Sequence, residues 1–286
     1  MTLRPALMYR LGLTLMAAVS LAACSPAPDA AAPTASAPAA STTAASAPTA
    51  AQPATATPEA PARTPGAVVP PSGDAPVAGT DYVEIAGGSP LRPGTGKIEV
   101  VEVFGYTCPH CATFEPLVSA WAAKLPADVE FVPVPAPFGG YWLPYAKAYY
   151  TAEAMGVAEQ SHAAMFRAIH VDRSLPVQPL PTPEQLGQFY ANYGVDPAQF
   201  ASTMSSFAIN AKTRQAGDFI ERSFVGDVAS TPTLIINGKY RVKGQSFEEA
   251  LRIADHLLAM ERASRAASPT TAAAVDDAPA SDAGND

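Results

Sequence analysis

The chain has 286 residues, with 18 Lys and Arg against 26 Asp and Glu and a formal net charge of −8. That balance excludes the clustered cations of a nucleic-acid-binding surface and reads as an acidic, soluble one. The 48% hydrophobic content overstates the core, because Ala dominates both ends while every Trp, every Phe and all but one Tyr fall between residues 81 and 263.

Residues 1–23 have the layout of a secretory signal. Arg4 and Arg10 precede an apolar stretch that is shorter than the roughly 20 residues a membrane span requires. The stretch ends in Leu21-Ala22-Ala23-Cys24, which resembles the bacterial lipobox. The resemblance implies cleavage before Cys24 and a lipid on its sulfur; the alternative is an ordinary secretory signal that leaves Cys24 free. Ser25 is not the aspartate that resembles an inner-membrane retention signal, so the expected address is the periplasmic face of a membrane, the outer one favoured.

Residues 24–80 are nearly all Ala, Pro, Ser and Thr. Such a segment buries too little apolar area to offset chain ordering and is expected to be a disordered tether. About 55 residues of this kind span on the order of 40 Å. Residues 81–263 form one domain, and residues 264–286 are expected to be a disordered acidic tail.

With Cys24 lipidated, two cysteines remain, Cys108 and Cys111. A bridge between them closes too short a loop to staple a fold, although an exported protein meets an oxidising compartment. Zinc is the rival use of such a pair. It needs further ligands, and His162, His170 and His256 stand far along the chain without ligand spacing, so no metal is expected. These three histidines fit ordinary positions on helix surfaces.

Residues 97–104 are rich in β-branched residues and read as a buried strand. Downstream, Phe114, Leu117, Val118 and Trp121 recur at helical spacing, with Pro109 at an early helical position and Pro116 predicting a kink. The tetrapeptide Cys108-Pro109-His110-Cys111 therefore opens a helix after a strand. Its two sulfurs share a face, and the unsatisfied N–H groups and positive end of the helix favour a thiolate at Cys108. The imidazole of His110 adds a donor or cation nearby.

Further on, residues 145–155, 162–170, 183–193 and 197–207 read as helices separated by Gly, Pro and Asp. Leu234-Ile235-Ile236 is a strand, Asn237-Gly238 a hairpin turn and Tyr240-Arg241-Val242 the return strand. Ser246 with Glu249 fits a capping box for a last helix to about Met260.

Residues 101–115 and 230–240 together resemble the DsbA-like thiol oxidases of the thioredoxin superfamily, over nearly all of the domain. The resemblance implies an α/β, thioredoxin-like fold with an inserted helical subdomain at about residues 138–226, and a thiol:disulfide oxidoreductase, commonly with a cysteine of low pKa. It makes Cys108 the exposed nucleophile and Cys111 its shielded partner. Pro232 matches a cis-proline facing the motif, and Thr231 the residue whose backbone meets the substrate. Glu102 matches a buried acid that could relay the Cys111 proton; read from the residues alone, a solvent-exposed strand-end carboxylate is equally open.

The implied substrates are reduced exported proteins. The implied recharging partner is a quinone-linked membrane thiol oxidase, since no flavin, haem or metal motif is present and no cofactor is expected. The low-complexity stretch ahead of the domain argues for a monomer and against an isomerase with a dimerisation region. A reductase on the same fold, or a tethered chaperone or binding module with incidental cysteines, remains open.

Overall fold

The computed structural model describes residues 66–267. The expected signal peptide, Cys24, the first part of the expected tether and most of the expected acidic tail lie outside the described residues. The elements are β1 (Tyr82–Glu84), β2 (Ile98–Phe104), α1 (Pro109–Ala122), β3 (Val129–Pro135), α2 (Trp142–Ala154), α3 (Ala158–His170), α4 (Pro183–Tyr190), α5 (Pro197–Met204), α6 (Phe207–Ser223), β4 (Thr233–Ile236), β5 (Tyr240–Val242) and α7 (Phe247–Ala267).

The strands form one mixed sheet in the order β1-β5-β4-β2-β3. Strand β2 is central and buried at all seven positions, as its run of β-branched residues predicts. It pairs parallel with β3 and antiparallel with β4. Alternation along β2 divides the interior. Val101 and Val103 face a large core shared with the helical insertion, including Tyr145, Met165 and Phe219. Ile98 and Val100 face a second core closed by Phe114 and Val118 of α1 and by Ile253 and Leu257 of α7. Glu102 follows Val100 by two residues and so shares the face that α1 covers.

Besides the three-residue β1, two elements had no assignment from composition or periodicity, each for a local reason. Strand β3 carries Pro133 and Pro135, which normally argue against a strand; β3 pairs only with β2 at the sheet edge, where proline is tolerated. Helix α6 buries Ile209, Thr213, Ala216 and Ile220 at helical spacing, but Thr213 breaks the apolar pattern. Its hydroxyl donates to the Ile209 carbonyl at 2.7 Å, which satisfies it inside the core. The helix starts at Ser206, whose side chain caps it.

Elsewhere local chemistry matches expectation. Ser246 accepts the Glu249 N–H at 3.2 Å ahead of α7, as expected, while the Glu249 carboxylate accepts from Gln245 rather than from Ser246; Thr182 and Gln185 form a further capping box on α4. Asn237 and Gly238 take φ of +52° and +66°, the left-handed pair that a tight hairpin between β4 and β5 requires. Helix α1, in which Pro116 predicted a kink, continues through that residue from Pro109 to Ala122.

The domain extends beyond the expected limits at both ends. Residues 66–80, placed by composition in the tether, lie against the body. Gly66 donates to the Leu125 carbonyl at 3.1 Å, and Ser72 and Asp74 offer carbonyls to His256 and Arg252 of α7. Backbone carbonyls make these contacts, so apolar composition carried no sign of them. Helix α7 continues past Met260 to Ala267. Arg262 grips Asp128 at 2.6 Å, and Arg265 donates to the carbonyls of Gly96 and Lys97 at 2.8 and 2.9 Å.

Candidate active site

Strand register fixes the site. Val103 pairs with Thr233 and Glu102 with Leu234, so the chain leaving β2 and the chain entering β4 meet at one end of the sheet. Gly105 turns the chain out of β2 where a side chain has no room. A Cβ there would lie 2.0 Å from the Trp142 ring. The Cys108 N–H then donates to the Gly105 carbonyl at 3.0 Å, and Cys108 becomes the N-cap of α1, with Pro109 in the first turn.

At this cap the Cys108 sulfur accepts the Cys111 N–H at 3.4 Å. Across the cleft the sulfur lies 3.6 Å from the Thr231 carbonyl, and the Thr231–Pro232 peptide is cis. The two sulfurs are unbonded to each other and differ in access. Cys111 is fully buried and Cys108 keeps 7% of its surface, less than an exposed nucleophile suggests but the only sulfur of the two that an incoming thiolate can reach. His110, Phe114, Thr231, Pro232 and Phe247 line an adjoining groove of about 430 Å³.

Electrostatics separate the sulfurs further. The Cys108 thiol is lowered to about 5. The largest cause is the Cys111 thiol donating to it, followed by opposing burial, then the Thr231 side chain and the N–H groups of Cys111 and His110. The same hydrogen bond, together with burial, pushes the Cys111 thiol up. One proton thus stays on Cys111 and a negative charge on Cys108. The His110 contribution comes through its backbone N–H, with the residue itself exposed, rather than through the imidazole.

Below the sulfurs lies a polar layer. Glu102 is buried, at 2% exposure, which removes the solvent-exposed alternative. Its Oε2 finds no hydrogen-bond partner among the described residues. Burial, then the charges of Glu115 and Cys108, push its carboxyl well above the usual carboxylate range.

Three further residues belong here. Glu115 is buried on α1 and accepts the Ser119 hydroxyl at 2.6 Å. His162 is buried on α3, not on a helix surface as expected. Its Nε2 is 3.3 Å from Glu115 and its Nδ1 2.8 Å from the Tyr106 hydroxyl. His170 is drawn inward as well, with Nε2 2.7 Å from the Tyr106 carbonyl. Only His256 stays at the periphery, on Ser72. Periodicity held the missing signal. Glu115 sits four residues after Cys111, within the stripe of Phe114, Val118 and Ala122, and His162 shares a stripe with Met165, Phe166 and Ile169. Among the described residues no group of three or more His, Cys, Asp or Glu is gathered as a metal site.

Comparison with known proteins agrees with this geometry. The thioredoxin family model matches residues 95–256. The thiol:disulfide interchange protein DsbA of Pseudomonas aeruginosa is 44% identical over 189 residues, covering 65% of this chain and 86% of that protein. The chain belongs to the DsbA family. The DsbA of Azotobacter vinelandii is 40% identical over 190 residues, covering 65% of this chain and 85% of that protein. Among solved structures, the oxidoreductase DsbA of Xylella fastidiosa superposes with a TM-score of 0.64 at 48% identity, over 66% of this chain and all of that one. The P. aeruginosa structure gives 0.59 at 42% identity, over 66% of this chain and 96% of that one. The fold is accordingly thioredoxin-like, with the helical insertion of the family.

The depressed Cys108 pKa carries a sign for stability. The folded reduced chain favours the thiolate and the unfolded chain does not, so the contribution is complete above the ordinary value of 9.0, shrinks as pH falls and is gone below about 5. The disulfide form lacks it. Thermal melts of both redox forms should therefore show the reduced protein gaining on the oxidised one as pH rises from 5 toward 9. A difference independent of pH contradicts the assignment.

Proposed function

We infer that the chain is a periplasmic thiol:disulfide oxidase that gives its Cys108–Cys111 disulfide to exported proteins. The observation that carries this is the asymmetry of the pair, an accessible sulfur that ionises easily beside a buried one that does not. Holding Cys108 as an anion stabilises the dithiol, and a stabilised dithiol makes the disulfide a strong oxidant. This supports an oxidase over a reductase on the same fold.

A substrate thiolate attacks Cys108 Sγ and the Cys108–Cys111 bond breaks. Cys111 leaves and takes up a proton, and Glu102 beneath it is the proposed relay. The substrate is now joined to Cys108. A second substrate thiolate attacks the substrate sulfur of that mixed disulfide, and Cys108 departs as the thiolate that its surroundings favour. Two electrons pass to the enzyme and one disulfide forms in the substrate.

Thr231 and Pro232 form the wall against which the substrate backbone lies, and the neighbouring groove takes an apolar side chain. The reduced pair then passes its electrons to a quinone-linked membrane thiol oxidase, and the enzyme acts as a monomer without a cofactor. The alternative in which the cysteines are incidental to a tethered binding module predicts that their loss is harmless. In refolding of a reduced, denatured protein, Cys108→Ser should abolish disulfide formation, and Cys111→Ser, which cannot store the disulfide, should abolish it as well. Full activity in Cys108→Ser overturns the function.

The anchor is part of the same proposal. The lipobox-like sequence supports lipidation of Cys24, with the outer membrane favoured by Ser25. Gly66 seats beside Leu125, just past the end of α1, whereas the motif opens that helix. Fourteen residues at about 1.5 Å each put roughly 21 Å between the two, an arrangement that leaves the sulfurs clear of the tether's attachment. No helix among the described residues is long and apolar enough to cross a membrane. Cys24→Ser should move the protein from the membrane fraction to the soluble periplasm. Unchanged membrane recovery of that variant contradicts the lipid anchor.

A further inference from the structure

The oxidase cycle returns a proton to Cys111 whenever the disulfide opens and removes it whenever the disulfide reforms, yet Cys111 is fully buried. Glu102 can hold that proton, but it is sealed as well, at 2% exposure. Some group must connect this layer to water. Glu115 and His162 both line a groove between α1 and α3 of about 980 Å³, so the buried layer opens to solvent at their position.

The hydrogen-bond stoichiometry there is specific. Glu115 accepts from Ser119 on one oxygen and faces His162 Nε2 at 3.3 Å on the other. For that contact to bond, Nε2 must carry the ring proton, and Nδ1 then accepts the Tyr106 hydroxyl at 2.8 Å. A second proton on Nδ1 requires only that the Tyr106 O–H turn away and offer its oxygen. The buried Tyr190 hydroxyl lies close enough to interact with the Tyr106 hydroxyl, which gives that O–H an acceptor to turn toward. The imidazole can therefore gain and lose a proton with no contact to Glu115 broken. The rest of its enclosure is apolar or aromatic: Phe104, Phe166 and the Tyr149 ring from α2. The titratable groups facing it are thus Glu115, Tyr106 and Tyr149, with Glu102 acting through Glu115.

We propose that His162 is a positioning residue that, through Glu115 and Glu102, passes the Cys111 proton to and from the groove between α1 and α3. This rests on the reading of Cys108 and Cys111 as the redox pair. In the opening direction the departing Cys111 thiolate takes its proton from the Glu102 carboxyl. Glu115 and His162 restore that proton from water. In the closing direction Cys111 gives it back along the same groups as its sulfur attacks Cys108 and expels the partner thiol. His170 holds the Tyr106 carbonyl at 2.7 Å, which fixes the loop that carries the hydroxyl.

The test uses the full-length protein with Cys108 joined to glutathione and follows release of the glutathione thiol against pH. The wild-type log rate should bend at one more ionisation than that of His162→Gln. At neutral pH the variant should be about tenfold slower, a modest share of what a positioned proton-transfer group contributes. Glu115→Gln should match it, and the double variant should be no slower than either one. If His162→Gln folds poorly, Tyr106→Phe keeps the imidazole and Glu115 while removing the oxygen the ring needs, and it should displace the bend. Profiles parallel to wild type in His162→Gln, or in Tyr106→Phe where that variant stands in, overturn the role. A chain that forms no mixed disulfide at Cys108 instead overturns the redox reading beneath it.

Discussion

The contact between the Cys111 thiol and the Cys108 sulfur at the start of α1 decides how this protein behaves. That hydrogen bond is the largest cause both of the lowered thiol and of its raised neighbour, so two chemically identical side chains take opposite roles. The bond exists because Cys108 occupies the N-cap and Cys111 stands three residues on, on the same face of the helix. Burial works against ionising Cys108, but the hydrogen bonds outweigh it and the net shift is downward. A group at a helix start gains from unpaired N–H donors and from the helix dipole. At Cys111 the hydrogen bond to Cys108 and burial dominate, and the net shift is upward.

The remaining architecture serves that contact. The register between β2 and β4 brings Thr231 opposite Cys108. The missing side chain at Gly105 lets Trp142 close over the turn that presents the motif. Glu102 is buried in the polar layer beneath the sulfurs, where desolvation and the neighbouring charges disfavour its ionised form. Two carboxyl groups stacked beneath a thiolate would repel it if both were charged. The shift of Glu102 favours keeping a proton in the layer, and Glu115 reaches His162, which is buried within it.

Much of this could be read from the residues. The strand 97–104, the N-terminal placement of the motif, the hairpin at Asn237-Gly238 and four of the insertion's helices follow from β-branched runs, proline position and turn chemistry. The cis geometry at Pro232 and the burial of Glu102 came only with the family resemblance, since neither has a local cause. Strand β3 was hidden by its prolines and α6 by a threonine whose satisfied hydroxyl makes it core. The histidines of α3 were hidden differently. Their type says surface while their spacing says interior, and the deciding fact, that Tyr106 and Glu115 await them, involves residues distant in sequence. The contacts of residues 66–80 run through backbone carbonyls, which composition does not record.

The most direct test of the account is the ultraviolet titration of thiolate absorbance in the reduced protein. One thiolate per chain should appear with a midpoint near pH 5, and the second should stay protonated through the range where cysteine ordinarily ionises. Two thiolates appearing together near the ordinary value of 9.0 would contradict it, because the sulfur contact at the helix start would then be doing nothing to tell the two cysteines apart.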